Sequence, residues 1–394
     1  MIACSAGAFE KKKMQVLQLG SGWFEEVPGG LERVYGALCW HLPETGVHCR
    51  GVVMGSEAVA RATEGRFVAA ARPEAPLVQR WRGMRRAVQQ LRRSTSFDLV
   101  AAHFALYTFP VLDLVRDLPL VVHFHGPWAW EGREETRGGM QVAVKAWLER
   151  VVYRRAVRCI VLSEAFGREL TQRYGVAPDR IRVVPGGVEV DRFALTLSRR
   201  EARQALGWPT NRPIVLSVRR LVRRMGLERL IAAMAEVRQY VPEVLLLIAG
   251  RGPLREALQT QIDALGLQQH VRLLGFVPDD QLPLAYRAAD LTIVSTVALE
   301  GFGLITLESL AAGTPVLVTP IGGLPEAVQG LSEALVLEAA TSEALADGLI
   351  GALTGRRPLP PAEACQQYVR THYDWPVIAR QVKRIYQEAL EEAG

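Results

Sequence analysis

Short apolar runs alternate along this chain with longer segments whose apolar residues recur at helical spacing, and that alternation constrains the fold more than any other feature. It is the pattern of a parallel sheet covered by crossover helices. Strands buried on both faces are apolar throughout, whereas the covering helices are apolar on one side. In the first half the expected strands are residues 16–19, 50–54, 99–103, 120–124, 159–162 and 181–184. The series stops at residues 184–193, where Pro185, Gly186 and Gly187 interrupt any regular element. It restarts with expected strands at 214–218, 244–249, 271–273, 291–295, 316–318 and 334–337, and a last helix is expected at 376–392. The expectation is an α/β chain of two doubly wound domains joined near 190–210, with ligands at the carboxyl ends of the strands in the cleft where the domains face each other.

A length of 394 residues, at about 150 per domain, suits two such domains. With 49% apolar and 22% charged residues the chain has ordinary globular usage, which excludes a disordered chain, a coiled-coil rod and a fibre. No stretch approaches the roughly 18 consecutive apolar residues that span a bilayer. The net charge of +6 is unevenly spread: residues 1–190 hold 26 Lys and Arg against 19 Asp and Glu, and the remainder 21 against 22. A basic first half attracts phosphates, which leaves nucleic acid, anionic lipid and phosphorylated substrates open at this level. Cys4, Cys39, Cys49, Cys159 and Cys365 are scattered without metal-ligand spacing and read as reduced thiols of a cytosolic protein. Residues 1–13 end in Lys11, Lys12 and Lys13 after a weakly apolar stretch, the reverse of a secretory signal. They read as a disordered extension or a start codon placed too early.

The most informative segment runs from Ala298 to Pro315. Gly301 and Gly303 make a loop that enters a helix expected to end near Gly313, with Glu300 on the loop and Glu308 one turn inside. Free amides at this helix start, those of Phe302, Gly303, Leu304 and Ile305, suit a diphosphate. Ionised carboxylates accept paired hydrogen bonds from sugar diols. The combination suggests a sugar nucleotide; the plainer alternative is that Glu300 complements a helix dipole and Glu308 faces solvent.

On these residues the chain resembles glycosyltransferase family 4, retaining enzymes of the GT-B fold, whose E-x7-E signature matches Glu300 and Glu308. Residues 289–296 and 313–326 share the resemblance, which covers most of the chain. It implies two Rossmann-like domains facing across a cleft: 14–195 on the acceptor side and 196–375 on the nucleotide-sugar side. A carboxyl-terminal helix, 376–394, would pack back on the first domain. It further implies that Glu300 contacts hydroxyls of the donor sugar and that Glu308 holds the nucleotide ribose. Residues 217–226 resemble the segment in which an arginine and a lysine five residues later neutralise the donor diphosphate. Arg220 takes the arginine's place, but Met225 stands where the lysine is expected. Arg224 is the expected substitute, because a guanidinium binds phosphate bidentately; the alternative is a surface ion pair.

Gly250 and Gly252 resemble the nucleotide-side loop, or serve a tight strand-to-helix turn. Residues 275–278 resemble the stretch beside the nucleobase. In the first half, Gly29 and Gly30 resemble the glycine-rich first loop, where amides can meet a phosphate or the donor sugar. The partial dinucleotide fingerprint at Gly20 and Gly22 lacks its third glycine and is rejected. His125 matches the active-site histidine that contacts the donor sugar, whereas His123 reads as a packed core residue and His103 as a structural hydrogen-bonding group. Arg220 and the helix start would stabilise the departing diphosphate. The resemblance implies retention of anomeric configuration without a metal. No Asp-x-Asp pair occurs, and the adjacent Asp279 and Asp280 read as helix-capping. No metal and no cofactor are expected; the nucleotide sugar is a substrate.

Leu77, Trp81, Met84, Val88 and Leu91 recur at helical spacing among Arg80, Arg82, Arg85, Arg86, Arg92 and Arg93. The plain reading is a helix packed on the sheet with solvated arginines; the sharper one is contact with anionic lipid. The loop around Trp128, Trp130 and Arg133, with Gly138 and Gly139, reads equally as an acceptor groove or as loop packing. The whole suggests a cytoplasmic hexosyltransferase, with a peripheral position on the inner face of the membrane as a second expectation. A UDP-sugar is the favoured donor and GDP-mannose the second choice; the acceptor would be a lipid, a lipid-linked saccharide or a saccharide. The alternatives are an epimerase or phosphorylase on the same fold and a non-catalytic sugar-nucleotide-binding protein. Nucleic acid is not an expected partner, since no recognition module accompanies the arginines.

Overall fold

The computed structural model describes residues 13–27, 29–131 and 139–393. The expectations for residues 1–12, and those touching Pro28, Arg133 and Gly138, lie outside the described residues. Two sheets form. The first holds β1 (Met14–Gly22), β2 (Val47–Met54), β3 (Phe67–Ala69), β4 (Leu99–Ala102), β5 (Leu120–Phe124), β6 (Arg158–Val161) and β7 (Ile181–Val183), in the order β3-β2-β1-β4-β5-β6-β7. The second holds β8 (Ile214–Val218), β9 (Leu245–Ala249), β10 (Val271–Gly275), β11 (Leu291–Val294) and β12 (Val316–Val318), in the order β10-β9-β8-β11-β12. The pairings on either side of β1 and of β8 are parallel. The helices include α1 (Gly30–His41), α2 (Leu77–Ser94), α3 (Gly139–Arg155), α4 (Glu164–Tyr174), α5 (Leu304–Ala311) and α6 (Trp375–Ala393).

The apolar runs became strands for the reason the pattern implies. In the second sheet Ile214, Leu216, Leu245, Leu247, Val316 and Val318 enter one buried cluster, while Val215, Leu246, Ile248 and Leu317 enter another. Alternate residues thus face opposite covered sides, so each strand is apolar along its whole length. One expected strand needs correction and one observed strand was not expected. Residues 334–337 are not a strand: Ser332 accepts a hydrogen bond from the Ala334 amide and turns 333–335 into a 3-10 segment, leaving a single bridge between Val336 and Val318. And β3, with only three residues, was too short to register as a run, yet it pairs with β2 through Gly51 and Phe67.

The described residues divide into two compact units, those within 1–123, 151–159 and 379–394 in the first, and those within 124–150 and 160–378 in the second. In the first unit Tyr386 of α6 is fully buried, with His123 Nε2 at 2.9 Å and Gln18 Nε2 at 3.4 Å from its hydroxyl oxygen. Gln18 Oε1 lies 3.1 Å from His103 Nε2, and the two histidine rings stack with centroids 4.1 Å apart. Both histidines therefore serve a buried polar network, as expected of structural histidines. Among the described residues no helix is long and apolar enough to cross a membrane.

Candidate active site

In the second sheet the chain leaves β8 towards β9 on one side, whereas β11 lies on the other, so the order reverses between β8 and β11. At such a switch point the loops leaving adjacent strands diverge and open a hollow at their carboxyl ends. Leu291 and Thr292 pair in register with Val215 and Leu216, which sets the ends of β8 and β11 side by side. The arginine-rich turn after β8 and the glutamate loop after β11 are thereby neighbours.

They join through Arg219 and Glu300. Arg219 Nη2 donates to Glu300 Oε2 and to Thr296 Oγ1, and Thr296 Oγ1 lies 3.2 Å from the same carboxylate oxygen. The side chains of Arg219 and Glu300 are only 8% and 13% exposed. Burial alone would raise the Glu300 pKa. The charge and hydrogen bond of Arg219, the charge of Arg224 and the Thr296 hydroxyl outweigh it, and the carboxyl sits below its ordinary value. Arg224 Nη1 donates to the Leu299 carbonyl at 2.8 Å, and the Arg224 carbonyl accepts from the Val297 amide at 2.9 Å. Met225 is 4% exposed and lies among Leu221, Leu227 and Leu230 in an apolar cluster, so its thioether serves packing. Arg220 is exposed and makes no hydrogen bond or ion pair among the described residues.

The backbone around Glu300 is tightly held. Leu299 has φ 51°, a sparsely populated region for a branched side chain, and Gly303 has φ 78° at the cap of α5. The Glu300 carbonyl accepts from the Gly323 amide at 3.0 Å. Phe302 is buried against Tyr373, with ring centroids 5.6 Å apart, which anchors the loop to the core. Among the described residues no side chain caps the start of α5, where Leu304 and Ile305 follow Gly303, which leaves a positive, uncapped helix end. Glu308 is 5% exposed and accepts from the Tyr286 hydroxyl at 2.9 Å, which excludes the reading of a solvent-facing carboxylate.

The Gly250 loop closes the other flank. Gly250 has φ 150°, and a Cβ there would overlap the Arg219 carbonyl oxygen; a Cβ on Gly252 would overlap that of Leu221. Hydrogen bonds from Arg219 to Ala249 at 2.8 Å and from Leu221 to Arg251 at 2.9 Å lace the two turns together. These glycines permit backbone to approach backbone, the tight-turn reading. Arg251 stacks over Phe276 at 4.7 Å, and Phe276 remains 55% exposed.

His125, just after β5, is half-buried in the second unit, and burial lowers its pKa to about 4. Its imidazole is uncharged at neutral pH. Gly29 and Gly30 open α1 in the first unit, with the Glu32 carboxylate against Gly29. Asp279 pairs with Arg192, and the helix after it starts from Gln281, whose side chain makes no cap bond. Lys145 lies over Trp128 at 4.5 Å and Arg173 over Trp130 at 4.9 Å, which gives each ring a cationic neighbour. On α2, Met84, Val88 and Leu91 are buried, while Arg85 forms a paired bridge to Asp113 at 2.6 and 2.8 Å and Arg80 bonds the Tyr107 hydroxyl at 2.6 Å. The remaining exposed arginines of that face are Arg82, Arg86 and Arg93. Sequence reasoning gave Arg219 no role. The signal was there, an arginine at the carboxyl end of a strand beside a switch point, but hidden among four arginines in one turn.

The family model described as Glycosyl transferases group 1 matches residues 198–372, and that of Glycosyltransferase Family 4 matches residues 28–192. A D-inositol 3-phosphate glycosyltransferase of Corynebacterium jeikeium is 32% identical over 316 residues, 76% of this chain and 74% of the relative. A phosphatidyl-myo-inositol mannosyltransferase of Mycobacterium leprae is 30% identical over 282 residues, 69% of this chain and 68% of the relative. The chain spans 61%, 74%, 68% and 54% of the length of the first four curated relatives it matches. The solved structure of Anabaena Alr3699/HepE in complex with UDP-glucose superposes with a TM-score of 0.76 at 22% identity, over 95% of this chain and all of that one, a likeness of fold.

Proposed function

The chain belongs to glycosyltransferase family 4 and is a hexosyltransferase of GT-B fold, and from that premise we propose that it moves a hexose, with retained anomeric configuration, from a nucleotide sugar to a lipid, lipid-linked or saccharide acceptor. The observation that carries this reading is the meeting of the arginine turn, the Glu300 loop and the uncapped start of α5 at the switch point of the second sheet. In the reaction the anomeric C–O bond to the diphosphate breaks and a bond to the acceptor oxygen forms. The acceptor proton passes to a donor phosphate oxygen. Negative charge grows on the leaving group, where Arg220, with its exposed guanidinium, and the amides of Gly303, Leu304 and Ile305 would meet it. Arg224 adds positive charge to the same turn.

Glu300 would accept from the sugar hydroxyls and Glu308, oriented by Tyr286, from the ribose. The neutral imidazole of His125 would contact the sugar without placing a cation beside developing positive charge. Phe276, backed by Arg251, offers an aromatic face for the nucleobase. The amides of Gly29 and Gly30 are assigned by the same reading to the donor. Charge neutralisation falls to arginines and amides, so the reading calls for no metal, and activity is expected to survive a chelator. A UDP-sugar is favoured as donor, in line with the UDP-glucose complex of the Anabaena protein. GDP-mannose is the second choice of donor, in line with a GDP-mannose-dependent mannosyltransferase of Mycobacterium tuberculosis, and a phosphatidylinositol-type acceptor is in line with the Mycobacterium leprae relative. A thermal-shift screen of UDP, GDP, UDP-glucose and GDP-mannose tests the reading, since a ligand that binds the native state raises the melting temperature. Product analysis with lipid and saccharide acceptors then fixes the anomeric outcome. No shift with any of the four, or consumption of the sugar nucleotide with no glycosylated product, would overturn it.

A further inference from the structure

We infer that Arg219 is a positioning residue for Glu300, holding its carboxylate in one orientation towards the donor sugar; the inference rests on the glycosyltransferase reading of this site. The geometry is specific. Both partners of the carboxylate, the Arg219 guanidinium and the Thr296 hydroxyl, bind the single oxygen Oε2, and they also bind each other. Oε1 makes no hydrogen bond among the described residues. A closed triangle on one oxygen fixes the plane of the carboxylate and keeps the other oxygen for a ligand hydroxyl, since an ionised carboxylate accepts at both.

Arg219 itself cannot drift. Its amide donates to Ala249, its carbonyl fills the space a side chain at Gly250 would take, and its guanidinium is nearly enclosed. On the far side of the pair, the Glu300 carbonyl is held by Gly323 and the preceding residue has φ 51°. A purely structural role explains this arrangement poorly. Buried ion pairs add little net stability compared with apolar packing of the same shape. This one also leaves Arg219 Nε buried without a hydrogen-bond partner among the described residues, a cost that a residue chosen for stability would avoid. The charged groups acting on Glu300 are Arg219 and Arg224, both from the turn after β8; together with the Thr296 hydroxyl they overcome the effect of burial. Arg219 bonds the carboxylate directly, whereas Arg224 Nη1 donates to the Leu299 carbonyl.

The test compares wild type, Arg219→Met, Arg219→Lys, Glu300→Gln and the two double variants. UDP and GDP affinities are measured by calorimetry, and kcat/KM is measured from pH 5 to 9 with UDP-glucose and GDP-mannose as donors. Arg219→Met is expected to keep nucleoside diphosphate affinity within about threefold, lose at least about tenfold in kcat/KM, and move the acidic limb of the profile upward by about one pH unit or more. Arg219→Lys keeps the charge but not the planar fork; it is expected to show an intermediate loss and carries the test if the Met variant does not fold. In the Glu300→Gln background neither substitution should cost anything further, because a residue acting through Glu300 has nothing left to act on. Losses that persist in that background, or a wild-type profile in Arg219→Met, would overturn the role of Arg219 alone. Absence of UDP and GDP binding in wild type would overturn the donor-site reading beneath it.

Discussion

Replacing Gly250 with alanine tests whether the two turns at the candidate site are built by close backbone approach. The added Cβ would lie 2.8 Å from the Arg219 carbonyl carbon, and closer still to its oxygen, with the Arg220 amide at 3.6 Å. All three are main chain, which cannot swing aside as a flexible side chain would. The φ of 150° adds conformational strain, about 1–3 kcal/mol for a residue with a side chain in a glycine-only region. Displacing packed main chain adds about 1–3 kcal/mol more. The sum is about 2–6 kcal/mol. Gly355 supplies the control: its φ is 79° but nothing lies within 4 Å of its Cβ position, so alanine there should cost only the left-handed strain, about 1–2 kcal/mol. Both residues belong to the second unit, so urea unfolding followed by circular dichroism compares them directly. Because Arg219 and Arg220 sit on the displaced turn, Gly250→Ala should also weaken UDP or GDP binding, and Gly355→Ala should not. If Gly250→Ala proves no more destabilising than Gly355→Ala and binds nucleotide normally, the backbone-approach argument is wrong.

Tyr386→Phe deprives His123 and Gln18 of a buried partner and should lower unfolding free energy by about 1–3 kcal/mol in denaturant titrations, with little change in nucleotide binding. Tyr286→Phe removes the bond that orients the Glu308 carboxyl; donor KM should rise about tenfold, the equivalent of about 1.4 kcal/mol, with kcat nearly unchanged. For His125 the sign follows from its depressed pKa: between about 6.5 and about 4 the unfolded chain binds a proton that the folded chain does not, so this residue's contribution falls as pH drops through that window. His125→Gln should flatten the acid dependence of the thermal midpoint over that range, and an unchanged dependence would contradict the assignment.

How far the sequence could be read depended on whether a feature was local. Strands such as 120–124, 214–218 and 316–318 were legible to the residue because burial on both faces makes them continuously apolar between turn signals. The strand Phe67–Ala69 escaped because three residues at a sheet edge leave no periodicity to read. Residues 334–337 misled because an apolar run beside a sheet looks alike whether it pairs once or throughout. At the site, the loop carrying Glu300 and the helix start at Gly303 follow from glycine placement within one segment. The partnership of Arg219 with Glu300 does not, since it joins residues 81 positions apart and exists only because β8 and β11 are neighbours. In the same way Tyr286 gave no local sign that it would meet Glu308, and the arginines of α2 gave none that Asp113 lay within reach.

On the proposed function, the ends of β8 and β11, with the start of α5, form a seat for a nucleoside diphosphate sugar. A crystal structure of the chain grown with UDP-glucose or GDP-mannose tests it most directly. Phosphate oxygens are expected within hydrogen-bonding distance of Arg220 and of the Gly303, Leu304 and Ile305 amides, with Glu308 on the ribose and Glu300 on the hexose. A donor bound with its diphosphate away from that helix start, and both glutamates untouched, would contradict it.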